Sequence, residues 1–199
     1  MKKKLLIFLA LSTFVLGYIG ASPVSAAVYS MVPSVEDIWG LDHMCYYTWG
    51  FNWDQPGERI VEAELIFHDI YNTPAGSDNI LYTHLLDDPP VGLTPYIDNG
   101  TEGDQFEGEG VLLGAWTDPG TDPVSDLIYT FDASQLLALN EFVLDGSAGF
   151  GFDPDCHYNN SGVEFRVTTM AVPEPGTLVL LGIGLVGAGY RAYRRKKLV

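Results

Sequence analysis

The sequence predicts an all-β protein, an antiparallel β-sandwich of jelly-roll-like type that contains one short helix. Short segments rich in aromatic and β-branched residues recur through residues 28–171, and turn residues separate them about every ten positions. The clearest segment, residues 45–53, alternates strictly and places four aromatic side chains on one face, Tyr47, Trp49, Phe51 and Trp53. Only one internal stretch carries helix signals. Residues 28–171 are long enough for one hydrophobic core and not obviously for two.

The strands follow from this alternation and from the turns between them. An irregular lead-in at residues 29–38 contains Pro33, and residues 89–110 form the least regular part, ending in an acidic, glycine-rich run. The second strand turns an apolar face inward, formed by Val61, Ala63, Leu65 and Phe67. The predicted strands are residues 45–53, 59–70, 79–86, 111–116, 126–131, 142–144, 148–152 and 163–169.

The predicted helix begins after Asp132, which can cap it. Gln135 stands three residues further on, as in a capping box, and apolar contacts come from Leu136, Leu137 and Leu139. We expect the helix to end near Asn140.

The first 27 residues have the order of a secretory signal peptide. Lysines at positions 2–4 are followed by the apolar residues 5–18 and by small residues at 22–27. Cleavage is expected after Ala26 or Ala27, and export follows from this segment.

The last segment, residues 172–199, combines three features. Pro173, Glu174 and Pro175 precede an apolar run at residues 178–190, and five basic residues follow at 191–197. The order resembles the PEP-CTERM sorting signal, which consists of a Pro-Glu-Pro motif, a transmembrane helix and a basic tail. An ordinary C-terminal membrane anchor is the alternative. The predicted domains are therefore 1–27, 28–171 and 172–199.

The resemblance implies a destination. PEP-CTERM proteins are substrates of an exosortase-type processing enzyme, reach the inner membrane transiently, and are sorted to the envelope, surface or extracellular matrix of Gram-negative bacteria. The family is often associated with exopolysaccharide and biofilm matrix, so extracellular polysaccharide is an expected partner.

The two cysteines, Cys45 and Cys156, are predicted to form a disulfide, because an exported protein meets an oxidising compartment. Two free thiols, or a metal site that combines Cys with His, remain the alternatives.

The predicted central domain is strongly acidic. Residues 28–171 hold 25 acidic residues and only two basic ones, Arg59 and Arg166, a formal charge of −23 against −16 for the whole chain. Nucleic acid is excluded as a partner, because its phosphates would be repelled. Cations would relieve the self-repulsion, although a solvated acidic surface explains the charge as well.

Catalytic motifs are missing from the sequence. It contains neither a Gly-x-Ser-x-Gly elbow nor a His-Glu-x-x-His pair, and its four histidines are scattered. Glu64, His68 and His84 would approach one another if their strands paired, but an exposed polar face is the simpler interpretation. A non-enzymatic module is expected, with a secreted hydrolase of matrix polysaccharide as the alternative.

Two binding hypotheses remain. Trp49 and Trp53 could present flat rings to a glycan. The alternative is that the aromatic face of residues 45–53, which includes both tryptophans, packs in the core. Asp153, Asp155 and Glu164 occupy the first, third and twelfth positions of a calcium-loop pattern, but Tyr158 stands at the sixth, where the turn needs glycine. A loop that binds Ca²⁺ without being an EF-hand is the prediction, and an acidic surface turn is the alternative.

Overall fold

A computed structural model describes residues 26–33, 36–72, 79–120, 125–172, 182–188 and 191. Strands dominate these residues and every strand pairing is antiparallel, which confirms the all-β, antiparallel prediction. The strands are β1 (Ala26–Met31), β2 (Gly40–Leu41), β3 (Cys45–Asn52), β4 (Glu58–Asn72), β5 (Leu81–Leu86), β6 (Gly92–Ile97), β7 (Val111–Trp116), β8 (Ser125–Thr130), β9 (Ser147–Pro154), β10 (Tyr158–Asn159) and β11 (Gly162–Ala171).

The strands form two sheets. One has the order β1-β11-β4-β10-β2, with β8 also paired to β4, and the other has the order β6-β3-β9-β5-β7. Aromatic side chains of the two sheets meet in one core, where the ring centroid of Phe165 lies 5.2 Å from that of Phe51 and 4.8 Å from that of Phe150. Two antiparallel sheets that share one core fit the expected sandwich, although β5, β6 and β7 follow one another within a single sheet.

The helix α1 (Ala133–Phe142) begins as expected. Asp132 accepts hydrogen bonds from the backbone N–H groups of Ser134 and Gln135, and the Gln135 side chain accepts one from the Asp132 N–H, so the capping box is confirmed. The predicted strand at 142–144 is wrong, because the helix runs to Phe142 and a 3-10 turn, Val143–Asp145, follows it. Another 3-10 turn spans Glu36–Trp39.

Three further strand predictions need correction. The lead-in contains β1, which pairs with β11 from Ala26 to Met31, and the irregular segment contains β6. Pro95 lies within β6, an edge strand, where a missing N–H costs little. In β4 the register against β11 shifts, so Ile60 is buried and Val61 only half-buried.

The terminal segments are only partly described. Residues 1–25, which hold most of the predicted signal peptide, lie outside the described residues, as do Pro173, Glu174 and Pro175. Because β1 begins at Ala26, the expected cleavage would remove one or two of its residues. Residues 182–188 are helical and exposed, and no helix among the described residues is long and apolar enough to cross a membrane.

Candidate functional site

The aromatic stripe of β3 belongs to the core. Trp49 is only 3% exposed and packs with Phe51 and Phe150, so the glycan-binding prediction for Trp49 is wrong. The reason is that this face of β3 packs against the other sheet. Trp53 is half-buried against Tyr29 and lines an open groove of about 450 Å³.

The opposite face of the same sheet carries a half-buried aromatic pair that the sequence analysis did not single out. Tyr46 of β3 and Tyr96 of β6 are register partners, and their rings stack with centroids 5.0 Å apart and planes 12° apart. Phe106 contacts Tyr46 edge-on at 5.5 Å. These three rings line a groove of about 450 Å³ together with Pro89 and Glu109.

The predicted calcium trio is not assembled. Asp153 lies in β9 of one sheet, whereas Glu164 lies in β11 of the other. Glu164 accepts hydrogen bonds from Ser30 and Arg166, and these bonds hold the pKa of its carboxyl below the ordinary value. Glu164 is therefore wrong as a ligand partner of Asp153 and Asp155.

Asp153 and Asp155 instead meet the acidic loop at residues 98–110. The backbone N–H of Gln105 donates to Oδ2 of Asp153 at 2.7 Å, and that of Gly103 donates to Oδ1 of Asp155 at 3.1 Å. Both carboxyls thereby lie close enough to acids of the loop for the loop's negative charges to raise their pKa values. The acidic cluster consists of Asp98, Asp104, Asp153 and Asp155.

The electrostatics of the acidic cluster are unfavourable for a chain without a bound cation. Asp153 is only 1% exposed, and its burial raises the pKa to about 6; the Gln105 N–H opposes this shift, and the charges of Asp155, Asp98 and Asp104 add to it. Burial also raises the pKa of Asp155. Oδ2 of Asp98 is buried and has no hydrogen-bond partner among the described residues.

A buried histidine borders the cluster. His84 is 3% exposed, and its Nε2 lies 2.8 Å from Oδ2 of Asp104, while its Nδ1 lies 3.1 Å from the carbonyl oxygen of Glu109. His84 thus anchors the acidic loop to β5. The suggested approach of Glu64 and His68 to His84 is wrong, because β4 and β5 belong to different sheets.

A second cluster lies where β2 meets β10. These strands pair Leu41 with Tyr158, so their antiparallel register sets Asp42 beside His157. Nδ1 of His43 lies 3.3 Å from Nδ1 of His157 and 3.3 Å from Oδ1 of Asp42, and Nε2 of His157 lies 3.4 Å from the same oxygen. The Asp-His cluster consists of Asp42, His43 and His157, and the sequence analysis did not anticipate it.

The cysteines flank this region without being joined. Cys45 begins β3 and Cys156 follows β9, and both are free thiols that pack partly against the core. The predicted disulfide is absent from the structure. Continuing the β3–β9 register places Cys45 opposite Pro154 rather than opposite Cys156, which explains why the two thiols do not meet.

Comparison with known proteins gives one match. Residues 171–196 match the family model of the PEP-CTERM protein-sorting motif, and no curated protein matches the chain. The matched residues begin where β11 ends and include the Pro-Glu-Pro motif. The motif implies export, association with the cell envelope or surface, and processing by exosortase, a membrane enzyme. The protein therefore carries a C-terminal PEP-CTERM sorting motif, as its sequence indicated.

Proposed function

We propose that the protein is a non-enzymatic binding module, a jelly-roll sandwich stabilised by Ca²⁺, at the surface or in the matrix of a Gram-negative bacterium. The single observation that carries the calcium part is the acidic cluster. The charges of Asp98, Asp104 and Asp155 act on Asp153 there, Asp153 is almost fully buried, and one buried oxygen of Asp98 has no hydrogen-bond partner among the described residues.

Calcium is the cation that suits this chemistry. It prefers carboxylate and carbonyl oxygens in flexible geometry, which a loop against a strand end can provide. Neither Arg59 nor Arg166 forms an ion pair with the cluster, and among the described residues only the imidazole of His84 offers it an ion-pair partner. A bound dication would offset the mutual repulsion and join the loop at residues 98–110 to β9.

Thermal unfolding tests this proposal. Calcium is expected to raise the melting temperature above that in sodium chloride of matched ionic strength, because screening alone acts equally in both. At a hundred times the dissociation constant the stabilisation is about 2.7 kcal/mol. Asp98→Asn should lose this shift, whereas the control Glu62→Gln, an exposed acid on β4, should keep it. Equal melting curves in both salts would contradict calcium binding.

A glycan is the second candidate ligand, favoured by the stacked pair Tyr46 and Tyr96. Their half-buried rings stack beside a groove, and aromatic faces pack against the apolar faces of sugars. Trp53 in the other groove offers a single ring at the edge of the core.

Binding to a panel of bacterial polysaccharides tests the glycan proposal. Tyr46→Ala and Tyr96→Ala should each abolish retention, whereas Tyr71→Ala removes an exposed tyrosine of the other sheet and should not. Retention without product release supports the module. Turnover abolished by one carboxylate substitution would favour the alternative, a secreted hydrolase of matrix polysaccharide.

A further inference from the structure

The Asp-His cluster has the composition of a transition-metal site. Imidazole suits Zn²⁺, Cu²⁺ and Ni²⁺, and a carboxylate is a common third ligand of zinc. One donor atom from each of Asp42, His43 and His157 lies within 4.8 Å of the other two, and no other set of three such residues in the described part of the chain comes this close.

Nδ1 of His43 lies from both of its neighbours at the spacing expected for two ligands of one small ion. Two ligand atoms that are each about 2.0–2.1 Å from a tetrahedral zinc lie roughly 3.3–3.4 Å apart. The 3.4 Å contact of His157 with Oδ1 of Asp42 is made by Nε2, the opposite nitrogen of its ring, so with one donor atom per residue the three atoms are known to lie within 4.8 Å of one another. Nδ1 of His43 makes two contacts of 3.3 Å, with Oδ1 of Asp42 and with Nδ1 of His157. They are longer than the usual N–H···O hydrogen bond of about 2.9–3.0 Å, so direct hydrogen bonding explains them less well.

The backbone holds these side chains in place before any ion arrives. Oδ1 of Asp42 accepts a hydrogen bond from the Met44 N–H at 3.0 Å, and the Asp42 N–H donates to the Tyr47 hydroxyl at 3.0 Å. Gly100 packs against His43, because an added Cβ there would lie 3.4 Å from the imidazole Cδ2. His157 is positioned by the pairing of β10 with β2.

The other two histidines of the chain are not arranged in this way. His68 has Asp126 at Nδ1 and Glu164 at Nε2, and no choice of one donor atom from each of these three residues brings all of them within 4.8 Å of one another. His84 is buried and uses both nitrogens for contacts with Asp104 and Glu109.

We propose that Asp42, His43 and His157 bind a divalent transition metal of the zinc class, with further coordination positions open to water or an external donor. The three side chains are 49%, 38% and 54% exposed, which leaves a direct path for the ion. Such a site would join β2, the start of β3 and β10 at the end of the molecule that also holds the acidic cluster, and it does not depend on calcium or glycan binding.

The test is zinc affinity of the full-length protein, measured by competition with a zinc indicator in excess calcium so that oxygen sites are filled. We expect one Zn²⁺ per chain. His43→Gln and His157→Gln should each weaken binding by at least about tenfold, the loss that even outer-shell changes cause. His68→Gln removes an equally exposed imidazole and should leave the affinity unchanged.

Results of two kinds would overturn the assignment. One is an absence of stoichiometric zinc binding in wild-type protein, or equal losses in all three histidine variants. The other is loss of binding in Cys45→Ser or Cys156→Ser together with a thiolate charge-transfer band after Co²⁺ substitution, which would move the site to the cysteines. Unchanged circular dichroism and melting of the histidine variants in chelator show that any loss reports ligation rather than unfolding.

Discussion

The buried carboxyl of Asp153 gives the sharpest prediction, which concerns Asp153→Asn in the absence and presence of calcium. The folded protein raises the pKa of this group from 3.8 to about 6. Because the folded-state pKa is raised, the folded protein binds the proton more tightly than the unfolded chain. The ionised form therefore destabilises the fold, and this penalty develops as the pH rises from about 3.8 to about 6.

The magnitude follows from the shift. The rise from 3.8 to about 6 corresponds to at most about 3 kcal/mol, and because even buried sites in proteins have an effective dielectric constant of about 20, the expected value is about 1–2 kcal/mol. Asparagine is nearly isosteric, is uncharged, and can still accept the hydrogen bond from the Gln105 N–H. In chelator at pH 7.5 we therefore expect Asp153→Asn to be more stable than wild type by that amount, and the two to converge towards pH 4.

Calcium should reverse this order. If Asp153 is a ligand, wild type gains about 2.7 kcal/mol at a hundred times the dissociation constant, while the asparagine variant gains much less. Urea unfolding at pH 4.5 and 7.5, each in chelator and in calcium, measures all four states. The reasoning is refuted if wild type is already the more stable protein in chelator at pH 7.5, or if calcium leaves the order unchanged.

Four further predictions concern the fold, the thiols and the sorting segment. Gly149→Ala should destabilise the protein by about 1–3 kcal/mol or more in urea unfolding, because its Cβ would lie 2.4 Å from the Trp49 carbonyl oxygen, whereas Gly40→Ala meets nothing within 4 Å and should be nearly neutral. Asp132→Ala should lower the melting temperature at pH 7, and its effect should shrink as the pH falls through the lowered pKa of Asp132, because the capping bonds, first that from Ser134, depress this pKa and are weakened when the carboxyl is protonated. Both cysteines should be alkylated in protein that is denatured without reductant. Peptide mapping that recovers a cross-linked pair would show that the disulfide forms. Deleting residues 172–199 should leave an exported protein that no longer sediments with membranes after a high-salt wash, and persistent sedimentation would contradict the sorting role.

Local patterns were enough to predict much of the fold. The alternation of residues 45–53 marks β3, and the pair Asp132 and Gln135 marks the start of α1, because each signal is carried by neighbouring residues. The strands that were missed depend on distant partners. Pro95 argues against β6 unless the strand is known to lie at an edge, and Val61 is misassigned because the bulge that displaces it is set by pairing with β11.

The sites depend even more on tertiary structure. The sequence analysis named Asp153 and Asp155 as candidate ligands but joined them to Glu164, eleven and nine positions further along the chain. Their actual neighbours, Asp98 and Asp104, are more than forty positions earlier and arrive through the folding of the acidic loop onto β9. The acidic, glycine-rich composition of that loop is visible in the sequence, whereas its position relative to β9 is set only by the fold.

Isothermal titration of calcium into the full-length protein is the measurement that addresses the central claim most directly. The acidic cluster predicts saturable binding of one Ca²⁺ per chain, competition by chelator but not by sodium, and loss of the heat signal in Asp98→Asn and Asp153→Asn with retention in Glu62→Gln. A titration in which wild type gives only the heat of dilution, or in which the Asp98 and Asp153 variants bind as well as wild type, would contradict the account.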